Sequence, residues 1–423
     1  MSLKCLAPAL YAFALLAAGQ KQAPAATLCT IPASGTFHTD DAPAIRAAFT
    51  QCAKHAKIVF KPTTYFINSV LDIKGLEDVD IDIQGELQWS TDIQYWLKNS
   101  LPVGYQSQST AFIIGGNNVR INGHGTGTLN GNGDAWYQFI RKQSNPSNFP
   151  GRPHQITFNG LTNSAVRGLK FVRSQMWTMS IINCHDSVFE DILINNTGGS
   201  NTDGADTFYS SNLLFRNWTV YNGDDSFSCK ANSKNITIRD SHFYNGLGIA
   251  MGSIGQYKGK LETIEDIYVE NVAFTNTLHA FYVKTWTNDV VGSPPNGGGG
   301  GLGHASNMRM KDLTVSGLRA AAFSVSQCTR FRGAPGAGNC TNSQFQIKDV
   351  EINGMKGTTK DRRVVSLQCS GVVPCTNIML SNIDLKFPDE TAAEKYLCGN
   401  VKEPVGWTCT GAACVGGSAT GGC

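Results

Sequence analysis

From Val166 onward the chain repeats one six-residue phrase: apolar, any residue, a small polar residue or glycine, apolar, any residue, apolar. It reads VRGLKF at 166–171, FEDILI at 189–194, FRNWTV at 215–220 and IRDSHF at 238–243. It continues as VENVAF at 269–274, MKDLTV at 310–315, IKDVEI at 347–352 and LSNIDL at 380–385. Alternating apolar residues mark half-buried strands. The residue between them marks a bend, because Asn, Asp and Gly tolerate left-handed backbone. That bend position falls at Gly168, Asp191, Asn217, Asp240, Asn271, Asp312, Asp349 and Asn382, with gaps of 23, 26, 23, 31, 41, 37 and 33 residues. A β-sandwich of short strands would turn every ~8–12 residues; a spacing near 23 that lengthens by insertion fits it poorly. One strand-bend-strand unit per coil predicts an all-β chain wound as a single-stranded, right-handed parallel β-helix. Residues 79–87 and 119–129 read as earlier, glycine-richer coils. The run Thr39-Asp40-Asp41-Ala42-Pro43 predicts a short N-terminal helix with capping oxygens and proline in its first turn. Ile45, Phe49 and Cys52 share one face of that helix, which would cover the open edge of the first coil.

Composition then narrows the class. The chain has 423 residues, a length that would ordinarily suggest two or three domains, but a solenoid grows by repetition. Hydrophobic residues make up 41% and charged residues only 16%, the opposite of a disordered balance. A net charge of +3 supplies no basic stripe for nucleic acid. Lys4, the apolar run 6–18 and small residues at Ala17-Ala18-Gly19 or Ala23-Pro24-Ala25 predict a secretory leader over residues 1–25, followed by one domain over 26–423. The run is too short for a membrane span. Removing Cys5 leaves twelve of the 13 cysteines, an even number that predicts full pairing in a secreted protein. Short spacings favour Cys328 with Cys340 and Cys369 with Cys375, and Cys29 with Cys52 would tie down the helix. Cys184 and Cys229 remain as a pair by default, and Cys398, Cys409, Cys414 and Cys423 leave three pairings open. Sequons at Asn195, Asn217, Asn235 and Asn339 agree with secretion.

Two acidic motifs lie about one coil apart: Asn201-Thr202-Asp203-Gly204 and Gly223-Asp224-Asp225. The 21-residue separation predicts Asp203 and Asp224 stacked on adjacent strands ~4.8 Å apart. Carboxylates that close repel, and one is driven toward its protonated form, which yields a general acid and a general base from identical residues. Asp225 would face away in a regular strand, so sharing the cleft requires a bend at Gly223 or at the strand end. Asn, Asp and Gly are also the commonest turn residues, and Asp40-Asp41 shows that an Asp-Asp pair alone means little. A metal site ranks below acid-base chemistry, because no histidine or further glutamate accompanies the three aspartates at ligand spacing.

At these residues the sequence resembles glycoside hydrolase family 28, the polygalacturonase group of secreted pectin-degrading enzymes. The resemblance spans most of the chain after the leader. It implies hydrolysis with inversion, no cofactor, Asp224 as general acid, and Asp203 and Asp225 as the residues activating water. The family's ordered motifs are N-T-D, G/Q-D-D, G/S-H-G and R-I-K; the first two are intact. The third reads Gly246-Leu247-Gly248, with leucine for histidine, and the fourth Tyr282-Val283-Lys284, with tyrosine for arginine. Lysine is a point charge and cannot replace arginine's bidentate fork for a uronate. The resemblance implies substrate contacts at Asn201, Lys284, Tyr282 and Gln327, with Tyr282 offering a stacking face. Three readings of the departures are open: an exo-enzyme on rhamnogalacturonan or decorated pectin, activity on galacturonan with carboxylate binding moved elsewhere, or a non-catalytic pectin binder.

Long stretches without repeat patterning, 90–110, 135–153 and the glycine-rich insertion between Trp286 and His304, favour exo action if they wall off one end of the cleft. Trp136, Trp177 and Trp286 are stacking candidates or core residues. His124, His154, His242, His279 and His304 have no metal-ligand spacing. The resulting expectation is a secreted, monomeric exo-hydrolase of galacturonan. An exo-rhamnogalacturonan hydrolase or α-L-rhamnosidase is the close alternative; a pectin lyase, which needs an eliminative base, is the more distant one.

Overall fold

The computed structural model describes residues 27–290, 297–329, 340–413 and 415–418. The expected leader, Asn339, Cys414 and Cys423 lie outside the described residues. The chain winds into a right-handed parallel β-helix. Strand Ser211–Tyr221 pairs in parallel with His185–Asn195 on one side and Ser233–Tyr244 on the other, setting Phe215 between Phe189 and Ile238. The same inward line runs on through Val269, Met310, Ile352 and Leu380, every one buried. Phe189 and Phe215 stack face to face at 5.1 Å. Full burial of each such side chain contributes about 1.5–3 kcal/mol, so alternation alone selects which face turns inward.

One expected register is corrected. Met310 lies opposite Ile352, so the coil after residues 310–315 is residues 352–357, with Gly354 at the bend. Asp349 belongs to a second line of bends. That line holds Asp186, Asn212, Asn235, Asp266, Asn307, Asp349 and Asn377, all with φ between 52° and 58°. Both lines use the same residue types, which is why the sequence pattern slipped from one to the other. The amides link neighbouring coils: Asn217 donates to Asp191 at 2.6 Å, Asn235 to Asn212 at 2.9 Å and Asn377 to Asp349 at 2.7 Å.

Helix Ala42–Gln51 covers the first coil with Ala42, Ile45, Ala48 and Phe49 buried and proline in its first turn. Its capping differs in detail. Asp40 accepts the Ala42 amide at 3.0 Å, whereas Asp41 accepts Ser34 N and Phe66 N, fastening the helix to the neighbouring strand. Two helices, Ile93–Asn99 and Gly133–Ile140, occupy stretches read as unpatterned loops. Each is too short for a 3.6-residue period to emerge, and each is anchored by a buried tryptophan, Trp96 or Trp136.

Disulfides join Cys29–Cys52, Cys328–Cys340, Cys369–Cys375 and Cys398–Cys409. The expected pairing of Cys184 with Cys229 does not form; both are buried thiols. Ser211 N bonds Cys184 O, and Lys234 N bonds Ser210 O in the following coil, which places Cys184 two coils from Cys229. Two strand spacings are about 9.6 Å, beyond the ~7 Å that a disulfide spans. Among the described residues no helix is long and apolar enough to cross a membrane.

Candidate active site

The acidic motifs sit at the entrances of two stacked strands, Ala205–Phe208 and Asp225–Cys229. The coil here is 22 residues long: Thr207 lies opposite Cys229, and Gly204 N bonds Asp225 O at 2.9 Å. Asp203 therefore stacks on Asp225, not on Asp224 as the 21-residue separation implied. The bend needed to bring Asp224 and Asp225 to one side is present. Asp225 pairs with Gly248 while Phe227 pairs with Ile249, a register shift that inserts one extra residue and re-aims the side chain. Each of the three carboxylates then offers an oxygen within 4.8 Å of the other two.

The turn that carries them is tightly specified. Asn222 Nδ2 lies within hydrogen-bonding distance of Thr202 O, Asp224 O and Asp225 O at 2.8–3.1 Å, tying both motifs together, and Thr202 Oγ1 accepts Gly223 N at 3.1 Å. A Cβ on Gly223 would stand 1.8 Å from Gly199 O, so only glycine permits this approach.

The three aspartates have different surroundings. Asp225 is buried, accepts the Tyr282 hydroxyl and lies 3.1 Å from Lys284 Nζ. Burial acts against the Lys284 charge, but Asp225, Asp224 and Asp203 outweigh it and hold the ammonium above its ordinary pKa. Asp224 is partly exposed, accepts Asn201 Nδ2 at 3.1 Å and its own chain's Asp225 N at 2.9 Å. Loss of hydration, then repulsion from Asp225, pushes its pKa up to about 6. Asp203 is buried with Oδ1 unpartnered; burial, then Asp224, drive its pKa well above the carboxylate range. A cluster holding a protonated carboxyl beside a lysine-paired carboxylate has the acid and base that glycosidic hydrolysis requires.

Gln106, Ser147, Asn148, Trp177, Asn201, Lys230, Leu247, Ser253 and Lys284 line the same pocket as the three aspartates. Asn201 and Lys284 thus reach the site, and Leu247 stands at its wall. Tyr282 and Gln327 do not stand there as substrate contacts. Tyr282 is fully buried with its ring behind Asp225, so it offers no stacking face and acts on Asp225 instead. Gln327 is fully buried and committed to backbone, donating to Phe345 O at 2.6 Å and accepting Ser370 N at 2.7 Å. Of the candidate tryptophans only Trp177 lines the pocket, while Trp136 and Trp286 are core.

Lys230 and Asp206 were missed by sequence reasoning. Lys230 Nζ lies 3.3 Å from Asp206, 2.9 Å from Gly252 O and 5.0 Å from the Trp177 ring centre. Burial pushes the Asp206 pKa to about 7 even against that lysine. The available signal was Asp206 three residues after Asp203, inside a strand otherwise destined for burial.

Residues 62–414 match the family model described as glycosyl hydrolases family 28. The chain is 52% identical over 405 residues to alpha-L-rhamnosidase rgxB of Aspergillus niger, covering 94% of this chain and 93% of that protein. It is 34% identical to a probable exopolygalacturonase X of Aspergillus terreus, over 86% of this chain and 84% of that one. The solved endo-xylogalacturonan hydrolase of Aspergillus tubingensis superposes with a TM-score of 0.76 at 25% identity, covering 92% of this chain and 100% of that one. With the paired acidic motifs stacked on one coil edge and the family model spanning most of the molecule, this chain belongs to glycosyl hydrolases family 28 and is a glycosyl hydrolase.

Proposed function

We propose that the protein is a secreted, exo-acting, inverting hydrolase of pectin that releases α-L-rhamnose from the non-reducing ends of rhamnogalacturonan chains. The carrying observation is the state of the pocket's cations. Lys284 is committed to Asp225 and Lys230 to Asp206, so among the described lining residues neither lysine is free to receive the carboxylate of a terminal uronate. Leu247 and Trp177 supply apolar surface at the same pocket, suited to the methyl group of a 6-deoxy sugar. The relative named as an alpha-L-rhamnosidase, matched over nearly the whole of both chains, supports the same choice. Exo action is supported by Gln106, Ser147 and Asn148, which bring two of the unpatterned stretches to the pocket.

In this mechanism Asp224 gives its proton to the glycosidic oxygen as the bond from that oxygen to C1 breaks. Asp225 takes a proton from the water that attacks C1 from the opposite face, while Asp203 beside it, held above the carboxylate range, keeps its own proton. Release of galacturonate is the second reading, favoured by several relatives named as exopolygalacturonases at 30–34% identity. Incubation with rhamnogalacturonan and galacturonan oligomers, with the first product identified by chromatography, separates the two. Free rhamnose is expected, and free galacturonate alone would sink the rhamnosidase assignment. Proton NMR of the first-formed anomer tests the mechanism; retained configuration would overturn inversion.

A further inference from the structure

A second and larger cavity, of about 940 Å³, adjoins the catalytic pocket through Gln106, which lines both. That size falls in the ~300–1,000 Å³ range of ligand sites. One wall is the segment with Tyr105, the opposite wall the segment with Gln256, Tyr257, Lys258 and Lys260, and Gly297, Gly298 and Gly299 close one side. The walls are fixed to each other across 151 residues: Gln256 Nε2 donates to the Tyr105 hydroxyl at 2.6 Å, and Gln106 N to the Tyr257 hydroxyl at 3.1 Å. Gly298 N and Gly299 N both bond Gln256 O. This is a built cavity, not a gap between loose loops.

Two buried acceptor atoms on the side chains lining it lack partners. Gln256 is 1% exposed with Oε1 unbonded, and Glu262 is 4% exposed with Oε2 unbonded. A buried acceptor left unpaired has given up its hydration without a replacement bond. A ligand rich in hydroxyl groups would satisfy both. Lys258 and Lys260 are exposed on the same segment and line the same cavity, so they present positive charge to whatever enters.

We propose that this cavity holds the galacturonate residue next to the scissile sugar, its carboxylate received by Lys258 and Lys260 and its hydroxyls by Glu262 and Gln256. The assignment rests on reading the chain as an exo-acting pectin hydrolase. It divides recognition in two: the catalytic pocket takes the terminal sugar, and uronate recognition moves to the adjoining cavity. Burial pushes the Glu262 pKa up to about 7, so at weakly acidic pH its carboxyl is neutral and does not repel a uronate.

The test is calorimetric titration of the Asp224→Asn protein with the disaccharide rhamnosyl-galacturonate and with neutral rhamnosyl-galactose. Adding Lys258→Ala and Lys260→Ala together is expected to weaken rhamnosyl-galacturonate at least tenfold and leave rhamnosyl-galactose within twofold, and arginine at both positions is expected to restore the uronate. Adding Glu262→Ala is expected to weaken both disaccharides. Rhamnosyl-galacturonate affinity unchanged in the lysine variant or in Glu262→Ala, or absent from the Asp224→Asn protein itself, would overturn the cavity assignment. Failure of the rhamnosidase reading would show separately, in the product released by the unmodified enzyme.

Discussion

Asp224 and Asp225 are chain neighbours with opposite electrostatic surroundings, and the proposed division of labour follows from that difference. Asp224 has an asparagine amide and its own backbone for company, whereas Asp225 has Lys284 and the Tyr282 hydroxyl. With the Asp224 pKa near 6, kcat/KM should fall as pH rises through about 6, because the proton donor is lost. Asp224→Asn should lower kcat by roughly 10²–10⁴-fold. It should also raise Tm. A folded-state pKa raised above the unfolded value means stability is full below the ordinary carboxylate pKa and declines as pH rises through about 6, so the gain should be larger at pH 7 than at pH 4. Thermal unfolding at both pH values checks the sign; an equal shift at the two would refute it. Tyr282→Phe keeps the buried ring and removes only the hydrogen bond to Asp225, so kcat should drop roughly 10- to 100-fold, the size of a lost charge-assisted bond, with KM little changed. The aspartates were legible because two motifs, each beside glycine, lay one coil apart. Tyr282 and Gln327 were not, since whether a strand residue faces cleft or core depends on bulges such as the one at Asp225, which no local pattern announces.

At the scale of the coil, the site depends on backbones approaching more closely than any side chain allows. Gly223→Ala must displace Gly199 or the turn that holds Asp224, so a loss of activity on the order of 10²-fold is expected, as for a roughly 1 Å misplacement, along with a lower Tm. Wild-type kinetics in that variant would show the turn to be adaptable. The coils themselves were readable from alternation, but register was not readable where two lines of left-handed Asn and Asp run five residues apart, and Asp349 was drawn onto the wrong one. Those lines also bear on the sequons. Asn217 and Asn235 use the side-chain nitrogen that a glycan would occupy to bond the preceding coil, whereas the Asn195 amide oxygen bonds only its own Thr197. Peptide mapping of the protein produced through a eukaryotic secretory host is therefore expected to find Asn195 glycosylated more fully than Asn217 or Asn235. Equal occupancy at all three would mean that the inter-coil bonds do not compete.

For the molecule as a whole, stacking means that each coil is held by its two neighbours and by little else, so stability is a chain of nearest-neighbour terms. The candidate active site sits in mid-stack, with coils on both sides, while helix Ala42–Gln51 and the adjoining Cys29–Cys52 disulfide protect one end. Ligand bound in the cleft bridges several coils and should stiffen them together. The unpaired Cys184 and Cys229 make this measurable. Burial pushes both thiols up to about 12, and a protonated thiol sealed from solvent does not alkylate. They alkylate only while the stack is open around them, which makes the pair a clock for breathing of the coils that carry the three clustered aspartates. Site-resolved mass spectrometry after timed iodoacetamide exposure should find both positions unlabelled long after exposed thiols are consumed, and slower still with oligosaccharide present. Prompt labelling in the native protein would mean that the middle of the helix opens as readily as its ends.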